Sequence, residues 1–208
     1  MKTHNRKMLT RLGQASVALM MLTYLTASPS AAGSAADPVA FVKVAAQNAI
    51  GILNDTQLAA PDRKNRFREL ILKNFDSAAV GQYVLGSYWA KANPDQQGRF
   101  QSVFKEALAQ IYIERFFEYD GRSLQVFGSK DGQGGATVVQ TSVNTAAGDI
   151  TYNVDWIVLN APVHLSLIDV IIDGVSTMST TKQDYASVLR ANNGDLDGLT
   201  TRLAEKIR

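Results

Sequence analysis

The sequence predicts an α+β domain: N-terminal helices packed on one face of a curved antiparallel sheet, with an apolar cavity between them and C-terminal helices. Two observations carry this. The apolar period is about 3.6 residues as far as Tyr119 and about 2 after Asp120-Gly121. The last strand then runs through Asp173-Gly174 straight into an amphipathic helix. A helix reached through one glycine must fold back on the sheet it has just left, so the cavity is expected between those two surfaces.

Residues 1–36 stand apart from the domain. Lys2, Arg6, Lys7 and Arg11 precede an apolar run, Ala15–Leu25, which is too short for the roughly 20 residues of a spanning helix. Small residues follow, with Ser30-Ala31-Ala32 and Ser34-Ala35-Ala36 as candidate cleavage sites. This is the pattern of a secretory signal peptide, and it leaves one domain over 37–208. No Cys follows the run, which excludes lipid attachment there, and no Arg-Arg pair marks twin-arginine export. Four of the 21 basic residues lie in this segment, leaving 17 against 19 acidic ones. Such a near-neutral domain lacks the basic footprint that nucleic acid requires. Cysteine is absent throughout, so the exported domain is held together by its core alone.

The elements follow in order. Asp37 as N-cap and Pro38 behind it open a helix with Val39, Val42, Ala46, Ala49, Ile50 and Leu53 on one face, ended by Asn54-Asp55. A second helix starts near Pro61 and runs to Phe75, with Phe67, Leu70, Ile71 and Phe75 inward. Its outer face carries Arg63, Lys64, Arg66 and Arg68, either a solvated surface or a docking surface for an acidic partner or anionic head groups. Asp76 caps a third, short helix that ends near Gly86. Asn93-Pro94-Asp95 opens the longest one, to about Tyr119, with Phe100, Phe104, Leu108, Ile111 and Tyr112 in phase. Phe116, Phe117 and Tyr119 widen that stripe at its end.

Beyond Gly121 four strands read as an antiparallel meander. Leu124 and Val126 alternate in the first; Val139, Thr141 and Val143 share a face in the second; Ile150, Tyr152, Val154, Trp156 and Val158 do so in the third. The turns fall at Gly128–Gly135, Ala147-Gly148-Asp149 and Asn160-Ala161-Pro162. The fourth strand is Val163–Asp173, and the helix after Gly174 aligns Val175, Met178, Tyr185, Val188 and Leu189. Asn192-Asn193-Gly194 ends that helix, and Asp195 caps a last one over Leu196–Ile207.

Catalytic chemistry is scarce. Outside the signal segment the chain holds one histidine, His164, read as a structural residue in a strand, and it has no thiolate for a metal or a nucleophile. Neither a phosphate loop nor a dinucleotide fingerprint is present. Asp169 and Asp173 lie about 13 Å apart on one strand, too far for glycosidase geometry. Asp155 is in position to approach Asp169 across strands, whereas acids at these positions also serve to face solvent or cap the next helix. What the chain has in excess is apolar and aromatic surface, which suits an apolar ligand.

Four stretches resemble one family. They are FDSAAVGQYVLGSYW at 75–89, RFQSVFKEALAQIYIERFFEYDG at 99–121, DITYNVDWIV at 149–158 and DVIIDGVSTMSTTKQDYASVLRANNGDLDGLTTRLAEKI at 169–207. In order and spacing they resemble the periplasmic phospholipid-binding shuttle family, the MlaC or toluene-tolerance type, an auxiliary component of ABC transporters. The resemblance implies a soluble periplasmic carrier, not an enzyme, without cofactor or metal. Its ligand is then a diacyl phospholipid, its partners an outer-membrane lipoprotein complex and an inner-membrane MCE/ABC transporter complex, and its role outer-membrane lipid asymmetry. A hopanoid or other apolar lipid is the alternative ligand. Phase selects as lipid-cavity lining Val84, Tyr88, Phe104, Ile111, Phe117, Val143, Val154, Trp156, Ile171, Val175 and Met178. Two other readings stand beside the carrier: a periplasmic enzyme using Asp155, Asp169 and Tyr152, and a partner-binding adaptor with a filled core.

Overall fold

The computed structural model describes residues 37–117, 121–145, 151–160 and 164–207. The expected signal segment, Tyr119, Ile150, Val163 and the turns expected at Ala147-Gly148-Asp149 and Ala161-Pro162 lie outside the described residues.

Short polar caps set the helix starts. The Asp37 carboxylate accepts from the Val39 N–H at 2.9 Å and opens α1 (Pro38–Leu53). The second helix, α2 (Ala60–Asn74), has Pro61 in its first turn but no side-chain cap. Asp76 accepts from the Ala79 N–H and opens α3 (Ser77–Leu85). Gly86 then takes φ +53°, which breaks the helix, and a further short helix, α4 (Ser87–Lys91), follows where the sequence pattern indicated an end. A reciprocal capping box starts α5 (Pro94–Phe116): Asn93 Oδ1 accepts from the Gln96 N–H at 2.9 Å, and Gln96 Oε1 from the Asn93 N–H at 3.2 Å. This helix supplies the centre of the core, with Phe100, Phe104 and Leu108 wholly buried.

The strands are β1 (Gly121–Asp131), β2 (Ala136–Thr145), β3 (Thr151–Asn160), β4 (Leu165–Ile172) and β5 (Val175–Ser176). They form one antiparallel sheet in chain order, β1-β2-β3-β4-β5. Each is joined to its predecessor, so the expected meander is present, with the two-residue β5 added to it. Gln133–Gly135 forms one turn of 3-10 helix between β1 and β2. The register of β3 on β4 slips at one point: Ile157 faces Asp169 while Val158 faces Leu167, leaving Ile168 as an extra residue. A bulge of this kind reverses the face on which the following side chains emerge.

The chain reverses after β4 in a two-residue turn. Asp173 at φ +47° and Gly174 at φ +83° are the pair of left-handed residues that such a hairpin needs. The Asp173 N–H donates to the Asn153 carbonyl at 2.9 Å, and its carboxylate accepts from the Asn153 N–H at 3.0 Å. Ser176 then caps α6 (Thr177–Ala191) by accepting from the Ser179 N–H at 2.8 Å. The helix therefore starts two residues later than its apolar period suggested, and Val175 is a strand residue, half exposed, not part of the helix face. The last helix, α7 (Leu196–Lys206), is capped by Asp195 as expected.

Helices cover one side of the sheet. The first, α1, lies over β1, β2 and β3; α2 lies against α1 and α5; α3 sits between α5 and α6; α6 packs on β4 and α7 on α5. One backbone link ties the layers together: the Asp76 N–H donates to the Leu167 carbonyl at 3.0 Å, and Phe75 bridges Leu167 in parallel. His164 precedes β4 and is exposed, which corrects the reading of it as a residue within a strand.

Candidate functional site

Between α1, α2, the end of α5 and strands β2 to β4 lies a cavity of about 80 Å3. The first helix lends it Ala45, Ala46, Ala49, Ile50 and Leu53; the second lends Phe67, Leu70, Ile71 and Asn74, with Phe75 just beyond. Tyr112 and Phe116 enter from α5, and Val143, Val154 and Trp156 from β2 and β3. Leu167, Val170 and Ile172 complete the wall from β4. Every side chain but Asn74 is apolar or aromatic.

The polar atoms near this wall are arranged to keep it dry. Trp156 Nε1–H donates to Thr141 Oγ1 at 3.0 Å, and that hydroxyl donates to the Val154 carbonyl at 2.9 Å, so the indole shows the cavity only carbon. Asn74 turns its amide to the Leu70 carbonyl at 2.7 Å. Tyr112 is stacked on Phe116, with ring centroids 5.8 Å apart, and its buried hydroxyl makes no hydrogen bond. Burial, with the nearby Asp169 charge, holds that phenol well above its usual range. It stays protonated.

Three of the eleven residues chosen by phase line this cavity: Val143, Val154 and Trp156. The others lie elsewhere. Ile171 emerges on the opposite face of β4 from Val170 and Ile172, and the bulge at Ile168 brings Leu167 onto the same face as those two. Val84, Phe104 and Met178 are wholly buried in the core; Phe104 stacks on Phe100 at 5.2 Å and meets Tyr185 edge-on. Ile111 faces a groove between α5, α6 and α7. Tyr88 borders a surface cleft with Lys91 and Arg190. Phe117 lies next to the cavity residue Phe116, and its ring is covered by Arg63 at 5.2 Å and Lys64 at 5.0 Å. Val175 points to solvent.

The cavity also lies nearer the N-terminal helices than the strand-to-helix fold-back indicated. Met178, Thr177 and Leu189 are buried under α6, and the space beside that helix is the groove toward α5 and α7. The inward faces of α1 and α2 are in the sequence as helical phase. Phase marks a side chain as inward but does not say whether the space before it is filled.

Asp155 and Asp169, the acids of the enzyme reading, are not directly opposite each other on the strands. Asp155 lies opposite Ile171, and Asp169 opposite Ile157. Asp169 accepts from the Ser176 hydroxyl, from the Met178 N–H at 3.1 Å and from the Val170 N–H at 2.8 Å, so it clamps the start of α6. Burial raises its carboxyl above the ordinary range despite these donors. Among the described residues no three His, Cys, Asp or Glu side chains come together as a metal site. No helix among them is long and apolar enough to cross a membrane.

The sequence model of the MlaC protein family matches residues 43–205. The chain belongs to that family. A curated relative is the toluene tolerance protein ttg2D of Pseudomonas putida, 29% identical over 110 residues. The match spans 53% of this chain and about half, 51%, of that protein's own length. Among solved structures, the phospholipid-binding protein from Ralstonia solanacearum, determined in complex with a phospholipid, superimposes with a TM-score of 0.68. It is 24% identical, and the overlap covers 83% of this chain and 97% of that one. The MlaC fold is thus present here, with an apolar cavity beneath α1 and α2.

Proposed function

We propose that this chain is a periplasmic lipid-transfer protein that holds a phospholipid by its acyl chains in the cavity beneath α1 and α2. The observation that carries the reading is that wall: hydrocarbon and aromatic rings from three helices and three strands, with its one indole N–H turned away. The family supports it, as do the phospholipid bound by the Ralstonia solanacearum neighbour and the naming of the Pseudomonas putida relative for toluene tolerance. Residues 1–36 are then a signal peptide removed on export, and 37–208 the working domain.

Physical chemistry explains why such a carrier needs no catalytic group. Each methylene moved into water costs about 0.8 kcal/mol, so a lipid with roughly 30 tail methylenes faces on the order of 20 kcal/mol when it crosses unaided. A wall of Val, Leu, Ile and Phe removes that cost. On this reading the carrier exchanges lipid with an outer-membrane lipoprotein complex and an inner-membrane MCE-type ABC transporter, and it contributes to outer-membrane lipid asymmetry.

Native mass spectrometry of protein purified from an envelope extract tests the reading. The expected spectrum shows adducts of phospholipid mass, and lipid-free protein takes up the same lipid from vesicles. Protein that is always empty and stays empty after incubation with vesicles would falsify it. Adducts of hopanoid mass in place of phospholipid would move the ligand class and leave the carrier in place.

A further inference from the structure

Cations on the helical layer are held in two ways. Arg68 is paired with Glu106, Arg99 with Asp197 at 2.8 Å and Lys206 with Glu114 at 3.2 Å. Lys182 of α6 and Lys91 of α4 lie on rings instead. The Lys182 ammonium is 4.4 Å from the centre of the Tyr83 ring, and that of Lys91 is 5.7 Å from the centre of Tyr88. Among the described residues Lys91, Lys182 and Arg190 have no acidic partner. The sequence leaves this face without acid: α3 and α4 hold no Asp or Glu, and the one acid of α6, Asp184, lines the groove toward α5 and α7.

The backbone makes room for these side chains. Gly86 separates α3 from α4, and Lys182 Cε lies 3.3 Å from where a Cβ at that glycine would stand. Tyr88 rests its ring edge 3.6 Å from the Cβ position of Gly194, just before α7. Tyr88, Lys91, Arg190 and Gly194 border a cleft of about 430 Å3 whose wall contains two cations and no acid. The groove between α5, α6 and α7 differs, since Glu114 and Asp184 stand among its cations. Along α6, Lys182 and Arg190 are about two turns apart, roughly 12 Å. In an extended chain, side chains four residues apart share a face at about the same spacing.

We infer that this face of α3, α4 and α6 docks an extended acidic segment of a partner protein, with one carboxylate in the cleft between Lys91 and Arg190 and a second, four residues along, on Lys182. Arg190 offers its carboxylate a two-pronged N–H contact, and Lys91 adds a second charge. The two lysines lose little freedom on binding, because Tyr83 and Tyr88 already hold them. A bilayer surface suits the face less well. Of the exposed large apolar side chains only Tyr83 comes from these three helices, too little to insert among lipid chains. The inference stands whether or not the cavity holds lipid, for the cleft and the cavity wall share no residue.

The probe is a blocked serine-rich peptide carrying two glutamates four residues apart, with its glutamine counterpart as control. It is titrated into the isotope-labelled protein and followed by amide NMR spectra at low salt. The expected result is saturable shifts at Tyr88, Lys91, Lys182, Arg190 and Gly194 with the glutamate peptide and none with the glutamine one. Lys91→Gln with Arg190→Gln weakens binding by about tenfold or more, with an unchanged unfolding midpoint because both side chains are exposed. Arg66→Gln with Lys73→Gln removes the same charge from α2 and leaves binding as it was. Equal weakening by both pairs shows attraction to net charge alone and overturns the site. Shifts confined to other residues, or none at all, also overturn it. Inorganic phosphate that displaces the peptide at equal concentration makes the cleft a free-anion site and refutes the acidic segment. Phosphatidylglycerol vesicles are expected to bind wild type and the Lys91→Gln, Arg190→Gln variant alike; loss of vesicle binding in the variant would assign the face to a membrane.

Discussion

Asp169 shows how one side chain is used up by structure. Its three donors all come from the fold-back between β4 and α6 or from its own backbone neighbour, and its charge lies at the positive end of α6. The acid pair that an enzyme would need is therefore absent at this place: Asp155 is out of register and Asp169 is already occupied. Burial nonetheless raises its carboxyl above the unfolded value of about 3.9. A raised acid binds its proton more tightly when folded, so its contribution to stability is complete below about pH 4 and is lost as pH rises through the raised value. Exposed Glu114 and Asp197 are shifted downward by their hydrogen-bond partners and act in the opposite sense, but equally in wild type and variant. The difference in Tm between wild type and Asp169→Asn is thus expected to favour wild type most at the acid end and to shrink toward neutrality. A difference that stays flat with pH removes this account. That these acids face solvent or cap the next helix was among the alternatives readable from the sequence; the choice for Asp169 needed the strand register.

At the scale of elements, the ends were the most legible part. Asp37-Pro38, Asp76 and Asn93-Pro94 each place a polar acceptor where the first free N–H groups need one, and α1, α3 and α5 begin there. The sheet's order was equally legible, because short turns leave neighbouring strands no other partner. The phase of β4 was not. An extra residue at Ile168 is invisible in a run of β-branched and leucine side chains, and it brings Leu167 onto the same face as Val170 and Ile172, with Ile171 on the other. The cavity's position was hidden for a similar reason: alanines on α1 read as ordinary core spacing, although here they leave space unfilled. A cavity-filling change separates stability from function at this helix. Ala49→Leu is expected to stabilise the lipid-free protein by about 0.5–2 kcal/mol and to reduce lipid uptake from vesicles. Differential scanning calorimetry and transfer assays check the two halves, and a gain in stability with uptake intact would place the acyl chains elsewhere.

The described domain is two layers with different attachments. The sheet is held by its own ladder, whereas the helical layer is held by side-chain packing and, among the described residues, one backbone bridge at Phe75. The space between the layers is where a hydrocarbon chain can replace protein contacts without breaking backbone hydrogen bonds. This division also has a kinetic consequence. Every strand pairs with its neighbour in sequence, so each hairpin closes a short loop, whereas α1 reaches β1 only across the length of α2 to α5. Loop entropy makes the hairpins early and the docking of α1 late. Val139→Ala in the middle of β2 is therefore expected to slow refolding, and Ala46→Gly in α1 to speed unfolding with little effect on the refolding rate. Stopped-flow chevron plots of the two variants read this directly, and equal partition of both changes between the two limbs would place α1 in the nucleus. The helix that closes over the cavity is, on this account, the last to arrive and the first to leave.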